Sequence, residues 1–105
     1  MSDVLATRDG AVAVITLNRP ERMNAWTHDM GDQCFDLMDE ADRDPSVRVI
    51  VLTGAGRGFC SGLDGAELAK SSAGGLRRMP AKGRRMTHPR LIRKPVIGAI
   101  NGPAV

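Results

Sequence analysis

Aromatic residues are scarce in this 105-residue chain. Trp26, Phe35 and Phe59 are the whole set, and there is no tyrosine. Stacking the bases of single-stranded nucleic acid on so few rings is difficult. Long apolar runs are missing too. The longest, at 11–15 and 49–52, fall far short of the ~20 residues that cross a bilayer as a helix. The opening Met-Ser-Asp-Val lacks the basic start and apolar stretch of a secretory signal. The two cysteines, Cys34 and Cys60, have neither a zinc nor a redox spacing. Free thiols in a reducing cytoplasm are the expectation.

Acid is missing from the last third. All 12 Asp and Glu residues lie within 1–67, beside six basic residues, whereas 68–105 carries nine Lys and Arg and no acid. The net charge of +3 hides this division. A solvated basic face accounts for it, and so does an anionic partner, either nucleic acid or a phosphorylated cofactor. The hydrophobic fraction of 42% and charged fraction of 26% are those of a folded domain rather than a disordered chain. The length allows one small domain or a piece of a larger one.

Residues 4–9 and 11–18 read as two strands around Asp9-Gly10, a hairpin signal. Pro20 ends the second, because it has no N–H and restricts Arg19. Thr27 is placed to cap a helix over 28–43, with Asp29 in its first turn. Met30, Cys34, Leu37, Met38 and Ala41 then form one apolar stripe, Asp32, Asp36, Asp39 and Glu40 take the other face, and Pro45 stops the helix. Val47–Thr53 is a strand whose nearly unbroken apolar run implies burial on both faces, as in a parallel sheet. Strand, helix and strand in that order imply a right-handed crossover. A glycine-rich stretch fills 54–65, a short helix covers 65–70, a basic helix interrupted by Pro80 and Pro89 covers 76–93, and a buried strand covers 95–100.

The glycine-rich stretch is the first place to look for chemistry. Gly54-Ala55-Gly56-Arg57-Gly58 is not a dinucleotide fingerprint, since Phe59 or Ser61 stands where the last glycine belongs. No Gly-Lys-Ser/Thr occurs, which excludes a Walker loop. A plain turn remains open as a reading. Ser61 is not in a nucleophile elbow, and Cys60 has no adjacent His or basic group to activate it. His28 and His88 have no partners at metal spacing. Asp64 could cap a helix as readily as act as a base.

Three segments carry a family resemblance. Val14-Ile15-Thr16-Leu17-Asn18-Arg19-Pro20-Glu21-Arg22-Met23-Asn24-Ala25 resembles the opening signature of the crotonase superfamily, the enoyl-CoA hydratase/isomerase proteins. Val47–Thr53 with Gly54-Ala55-Gly56-Arg57-Gly58-Phe59-Cys60-Ser61-Gly62-Leu63-Asp64 is similar to the second, whose usual core is Phe-x-Ala-Gly-x-Asp. Lys94-Pro95-Val96-Ile97-Gly98-Ala99-Ile100-Asn101-Gly102-Pro103-Ala104-Val105 is similar to the third. Order and spacing match across most of the chain.

The resemblance implies an α/β fold, a spiral of β-β-α units of which residues 1–105 are the N-terminal part. It implies an acyl-CoA thioester as substrate, with no permanently bound cofactor and no metal. The thioester enolate would be stabilised by two backbone N–H donors, the first of them on Leu63. Arg22, Met23, Ala25, Ser61, Gly62, Leu63, Asp64, Gly65 and Ala66 would line the CoA site, with Arg22, Arg77, Arg78 and Lys82 as phosphate candidates. The implied reaction is hydration of a 2-enoyl-CoA in fatty-acid metabolism, with double-bond isomerisation or a non-catalytic CoA-binding fragment as alternatives. No nucleic-acid or membrane partner is implied, and a homotrimer or hexamer is. The second oxyanion glycine and the catalytic glutamates would follow Val105, so residues 1–105 alone are expected to be inactive. Four positions depart from the family pattern: Ser61 for Ala, Leu63 for a small residue, Gly65 for a larger aliphatic and Trp26 for Leu.

Overall fold

The computed structural model describes residues 3–65 and 87–104. Four strands form one sheet in the order of the chain: β1 (Val4–Asp9), β2 (Val12–Leu17), β3 (Val49–Gly54) and β4 (Val96–Gly98). β1 and β2 make an antiparallel hairpin from Val4 opposite Leu17 to Asp9 opposite Val12. The loop is therefore Gly10-Ala11, with Gly10 at φ +59°. A left-handed first loop residue suits the right-handed twist of the strands and favours glycine there.

β2, β3 and β4 run parallel, Ile15 opposite Leu52 and Ile50 opposite Val96. A parallel step needs a long connection. The first is made by α1 (His28–Arg43). Thr27 caps it, its side-chain oxygen accepting from the Met30 N–H at 3.1 Å. Met30, Cys34 and Met38 are fully buried on its inner face, with Phe35 and Ala41 beside them and Leu37 packed at the margin. Against them β2 turns Ala13, Ile15 and Leu17 inward and β3 turns Ile50. The period of 3.6 on the helix and of 2 on β2 meet in one core, as the pattern predicts.

The helix is bounded as expected, but three expectations need correcting. β3 is not buried on both faces: Ile50 is fully buried and its other residues only half so. β4 is shorter than 95–100 and exposed, because it is the last strand of the sheet among the described residues. The described end of the proposed helix at 76–93 is one 3-10 turn, His88–Leu91, with Pro89 at its start. The rest of that helix, and the helix at 65–70 beyond Gly65, lie outside the described residues.

That 3-10 turn is fastened to the polar side of α1. His88 Nε2 lies 2.8 Å from Asp39 Oδ1, and its ring packs on Phe35 with centroids 5.1 Å apart. Asp42 Oδ1 accepts from the Arg93 and Lys94 N–H groups, each at 3.2 Å. Lys94 Nζ donates to the carbonyls of Ala41, at 2.8 Å, and Asp44. A cation on the last carbonyls of a helix answers both their missing donors and its dipole. Thus Asp39, on the face read as polar, and Asp42 hold the chain that leads into β4. At the other end of β1, the exposed Asp44 carboxylate accepts from the Ser46 hydroxyl and N–H and from Arg8, which holds its pKa below the ordinary aspartate value.

Candidate functional site

Two loops leave the same end of the parallel strands, where ligands of α/β sheets collect. The first follows β2. Pro20–Arg22 makes a 3-10 turn, and Met23 and Asn24 then take φ +52° and +56°. Two successive left-handed residues without glycine are unusual. Here they are held by Met23 N–H to Pro20 O at 3.1 Å and Asn24 N–H to Arg19 O at 2.9 Å. The second loop follows β3 and contains the glycine-rich stretch.

The two loops are joined edge to edge. The Ser61 N–H donates to Met23 O at 3.0 Å, the Trp26 N–H to Gly62 O at 2.7 Å, and the Asp64 N–H to Trp26 O at 2.7 Å. Trp26 and Leu63 thereby form a parallel bridge. In such a bridge both bonds run between Trp26 and the residues flanking Leu63. The N–H of Leu63 points to the opposite side, because backbone groups alternate along an extended chain. Among the described residues no backbone carbonyl accepts from it. A rigidly held N–H of this kind can donate to a developing negative charge. Leu63 as a residue is 45% exposed.

Two asparagines close the glycine loop from either side. Asn24, fully buried, donates from Nδ2 to Ala55 O at 3.0 Å and Gly58 O at 2.9 Å. Its Oδ1 accepts the Arg19 N–H at 2.7 Å. Asn101 donates to Gly56 O at 3.1 Å and Gly58 O at 3.3 Å, while its Oδ1 accepts the Gly54 N–H at 3.1 Å. Both side chains therefore reach the Gly58 carbonyl. The chain after β4 crosses directly over this loop: the Phe59 N–H donates to Pro103 O at 3.0 Å, and Cys60 bridges Ala104. A Cβ on Gly102 would collide with the Arg57 carbonyl oxygen, so only glycine permits that crossing.

Arg22, Met23, Ala25, Ser61, Gly62, Leu63 and Asp64 are thus brought together. Arg22 is exposed, and its carbonyl accepts from the Ser61 hydroxyl at 3.4 Å. Gly65 is exposed at the rim. Ala66, Arg77, Arg78 and Lys82 lie outside the described residues. Asp64 is buried and paired with Arg19 Nη2 at 3.2 Å. His88 has the structural partners already given. Cys60 is a free, half-buried thiol. Among the described residues no group of three His, Cys, Asp or Glu could hold a metal ion, and no helix is long and apolar enough to cross a membrane.

Sequence reasoning missed Arg19, Asn24 and Asn101 as structural partners of the glycine loop. All three fall inside the recognised segments. Asn101 stands beside Gly102 but Asn24 has no glycine neighbour, and only the fold shows that the two amides converge on one carbonyl.

The hairpin, the crossing helix and the parallel strands match solved structures of the mixed α/β crotonase fold. The chain belongs to the enoyl-CoA hydratase/isomerase family, whose model matches residues 7–105. It is 43% identical over 102 residues to a probable enoyl-CoA hydratase of Mycobacterium leprae, covering 90% of this chain and 35% of that protein. It is 36% identical over 109 residues to the 1,2-epoxyphenylacetyl-CoA isomerase of Escherichia coli, covering 99% of this chain and 42% of that one. An enoyl-CoA hydratase structure from Mycobacterium marinum matches with a TM-score of 0.81 at 33% identity, covering 96% of this chain and 49% of that one. The chain therefore spans less than half the length of each of these relatives and corresponds to their N-terminal part.

Proposed function

We propose that residues 1–105 form the N-terminal part of an acyl-CoA-binding domain in which the Leu63 N–H is one of two oxyanion donors. The supporting observation is the Trp26–Leu63 bridge, which spends the neighbouring backbone groups on the seam and turns the Leu63 N–H away from it. A thioester carbonyl placed there gains a hydrogen bond that strengthens as it becomes an enolate, and losing such a donor costs about 3 kcal/mol of transition-state stabilisation. Arg22, Met23, Ala25, Ser61, Gly62, Asp64, Gly65 and Ala66 line the CoA, mostly through backbone atoms. The second donor comes from the continuation of the 94–105 segment, beyond Val105.

The reaction we assign is hydration of a 2-enoyl-CoA, a lyase step of fatty-acid metabolism, in line with the names of the hydratase relatives. Isomerisation is the second reading, favoured by the identity to the Escherichia coli isomerase. The two share the enolate and differ in which acid and base move protons. Residues 1–105 alone are inactive on this reading, because the carboxylate in the signature loop, Asp64, is bound to Arg19 rather than free to move a proton. The protein needs no permanently bound cofactor. It works in the cytoplasm, where Cys34 and Cys60 stay reduced. It assembles as a trimer or hexamer when full length.

The test is a calorimetric titration of the natural protein with a saturated acyl-CoA at two salt concentrations. Binding that weakens with salt is expected, since phosphates and cations are screened within ~10 Å at 0.1 M. No heat at millimolar ligand would remove CoA as the ligand.

A further inference from the structure

Arg19 sits where the two loops meet. Its side chain is 15% exposed and that of its partner Asp64 is 9% exposed. Nη2 donates to Asp64 Oδ2 at 3.2 Å, while Nη1 donates to Ala25 O at 2.7 Å and rests 3.8 Å from Met30 Sδ. One guanidinium therefore touches both loops and the first buried residue of α1. Its backbone is held in turn, for Asn24 accepts the Arg19 N–H and donates its own N–H to Arg19 O. Asp64 and Ala25 are the neighbours of Leu63 and Trp26, the two bridge residues. A shift of either anchor moves the bridge.

We propose that Arg19 is a positioning residue: by tying the Ala25 carbonyl to the Asp64 carboxylate, it holds the Trp26–Leu63 seam closed and sets the direction of the Leu63 N–H. The link from seam to ligand rests on the reading of Leu63 as an oxyanion donor. The planar fork of arginine suits the task, since it offers separate N–H groups to two acceptors in a fixed geometry. A lysine ammonium at the same place keeps the charge but lacks that fork. Asp64 is accordingly a fastening for the loop and not a proton carrier.

The test compares Arg19→Met and Arg19→Lys with the natural full-length protein. Hydrogen exchange of the Trp26 and Asp64 amides reports the seam, and that of the Ile50 amide, bonded to Pro95 O, reports the sheet. Titration with butyryl-CoA reports the site. Both variants are expected to speed exchange at Trp26 and Asp64 relative to Ile50. They should weaken butyryl-CoA binding by about two- to tenfold, as the loss of one neutral hydrogen bond does. The lysine variant should lose less than the methionine variant. Arg19→Lys keeps the cation beside Asp64, so it carries the comparison if the methionine variant does not fold. Equal acceleration at Ile50 would make Arg19 a general stability residue and overturn the proposal, as would seam amides that exchange at the natural rate. If the natural protein itself binds no butyryl-CoA, the donor reading of Leu63 fails, whereas the exchange data still decide whether Arg19 holds the seam.

Discussion

The core under α1 and the loops above the sheet are built on different physics. In the core, Met38, Ile15, Leu17 and Ile50 are buried almost completely and make no demand beyond size and apolarity. In the loops the shape is set by named hydrogen bonds: Asn24 and Asn101 to the Gly58 carbonyl, Arg19 to Asp64 and Ala25, and backbone to backbone between 61–64 and 23–26. Apolar packing is non-directional and tolerates swaps of similar volume. A buried polar group whose partner is lost keeps its full desolvation cost. The core should therefore fail by degrees and everywhere at once, and the loops abruptly and locally.

Met38→Ala offers the sharpest view of the core side. Truncating a fully buried methionine costs about 2–5 kcal/mol, and the loss should reach every amide alike in denaturant-dependent hydrogen exchange. A loss confined to α1 would break the contrast. Asn24→Ala comes next. It removes the donors to Ala55 O and Gly58 O and the acceptor for the Arg19 N–H, at about 1–3 kcal/mol for each buried group left unpaired. Asn24→Asp sets a buried carboxylate oxygen against the same two carbonyls and should lose at least as much as the alanine variant in urea melts.

Gly102→Ala tests close approach without polarity. The added Cβ would meet the Arg57 carbonyl oxygen, and overpacking of this kind costs about 1–3 kcal/mol. The expected signature is a change at the Phe59 amide, which donates to Pro103 O, with the α1 amides unmoved. Thr27→Ala deletes the cap of α1 and should lower stability by about 1 kcal/mol, read as a small drop in melting temperature.

The smallest effect is electrostatic. The Ser46 hydroxyl and N–H and Arg8 hold the Asp44 carboxyl below its ordinary pKa. Its folded form binds a proton less readily than its unfolded form, so its contribution is present at neutral pH and fades as the pH falls from about 4 through that lowered value. Asp44→Asn should therefore flatten the acid limb of a pH–stability curve slightly and leave the neutral region nearly unchanged.

Much of the core could be read from order alone. Thr27, the stripe Met30–Cys34–Met38–Ala41 and Pro45 delimit α1, because capping, helical period and proline's missing N–H all act within a few residues. The hairpin followed from Asp9-Gly10, although its loop is Gly10-Ala11, a shift of one residue that turn signals do not resolve. β4 misled for the opposite reason. Its apolar run suggested burial, but burial depends on what lies beside a strand, and among the described residues it ends the sheet.

At the site, the three recognised segments carried the right residues for the seam without the seam itself. That Leu63 belongs to the glycine-rich stretch after β3 is written in Ser61-Gly62-Leu63-Asp64. That its N–H faces away from Trp26, that Asp64 is held by Arg19 across 45 positions, and that Asn24 and Asn101 reach one carbonyl from opposite ends of the chain are products of tertiary structure. The sequence alone determined the local elements and their apolar faces, since propensity, capping and periodicity are short-range. The direction of a backbone N–H and the pairing of a buried charge were decided only once β2, β3 and β4 lay side by side, because those contacts join residues that no local rule connects.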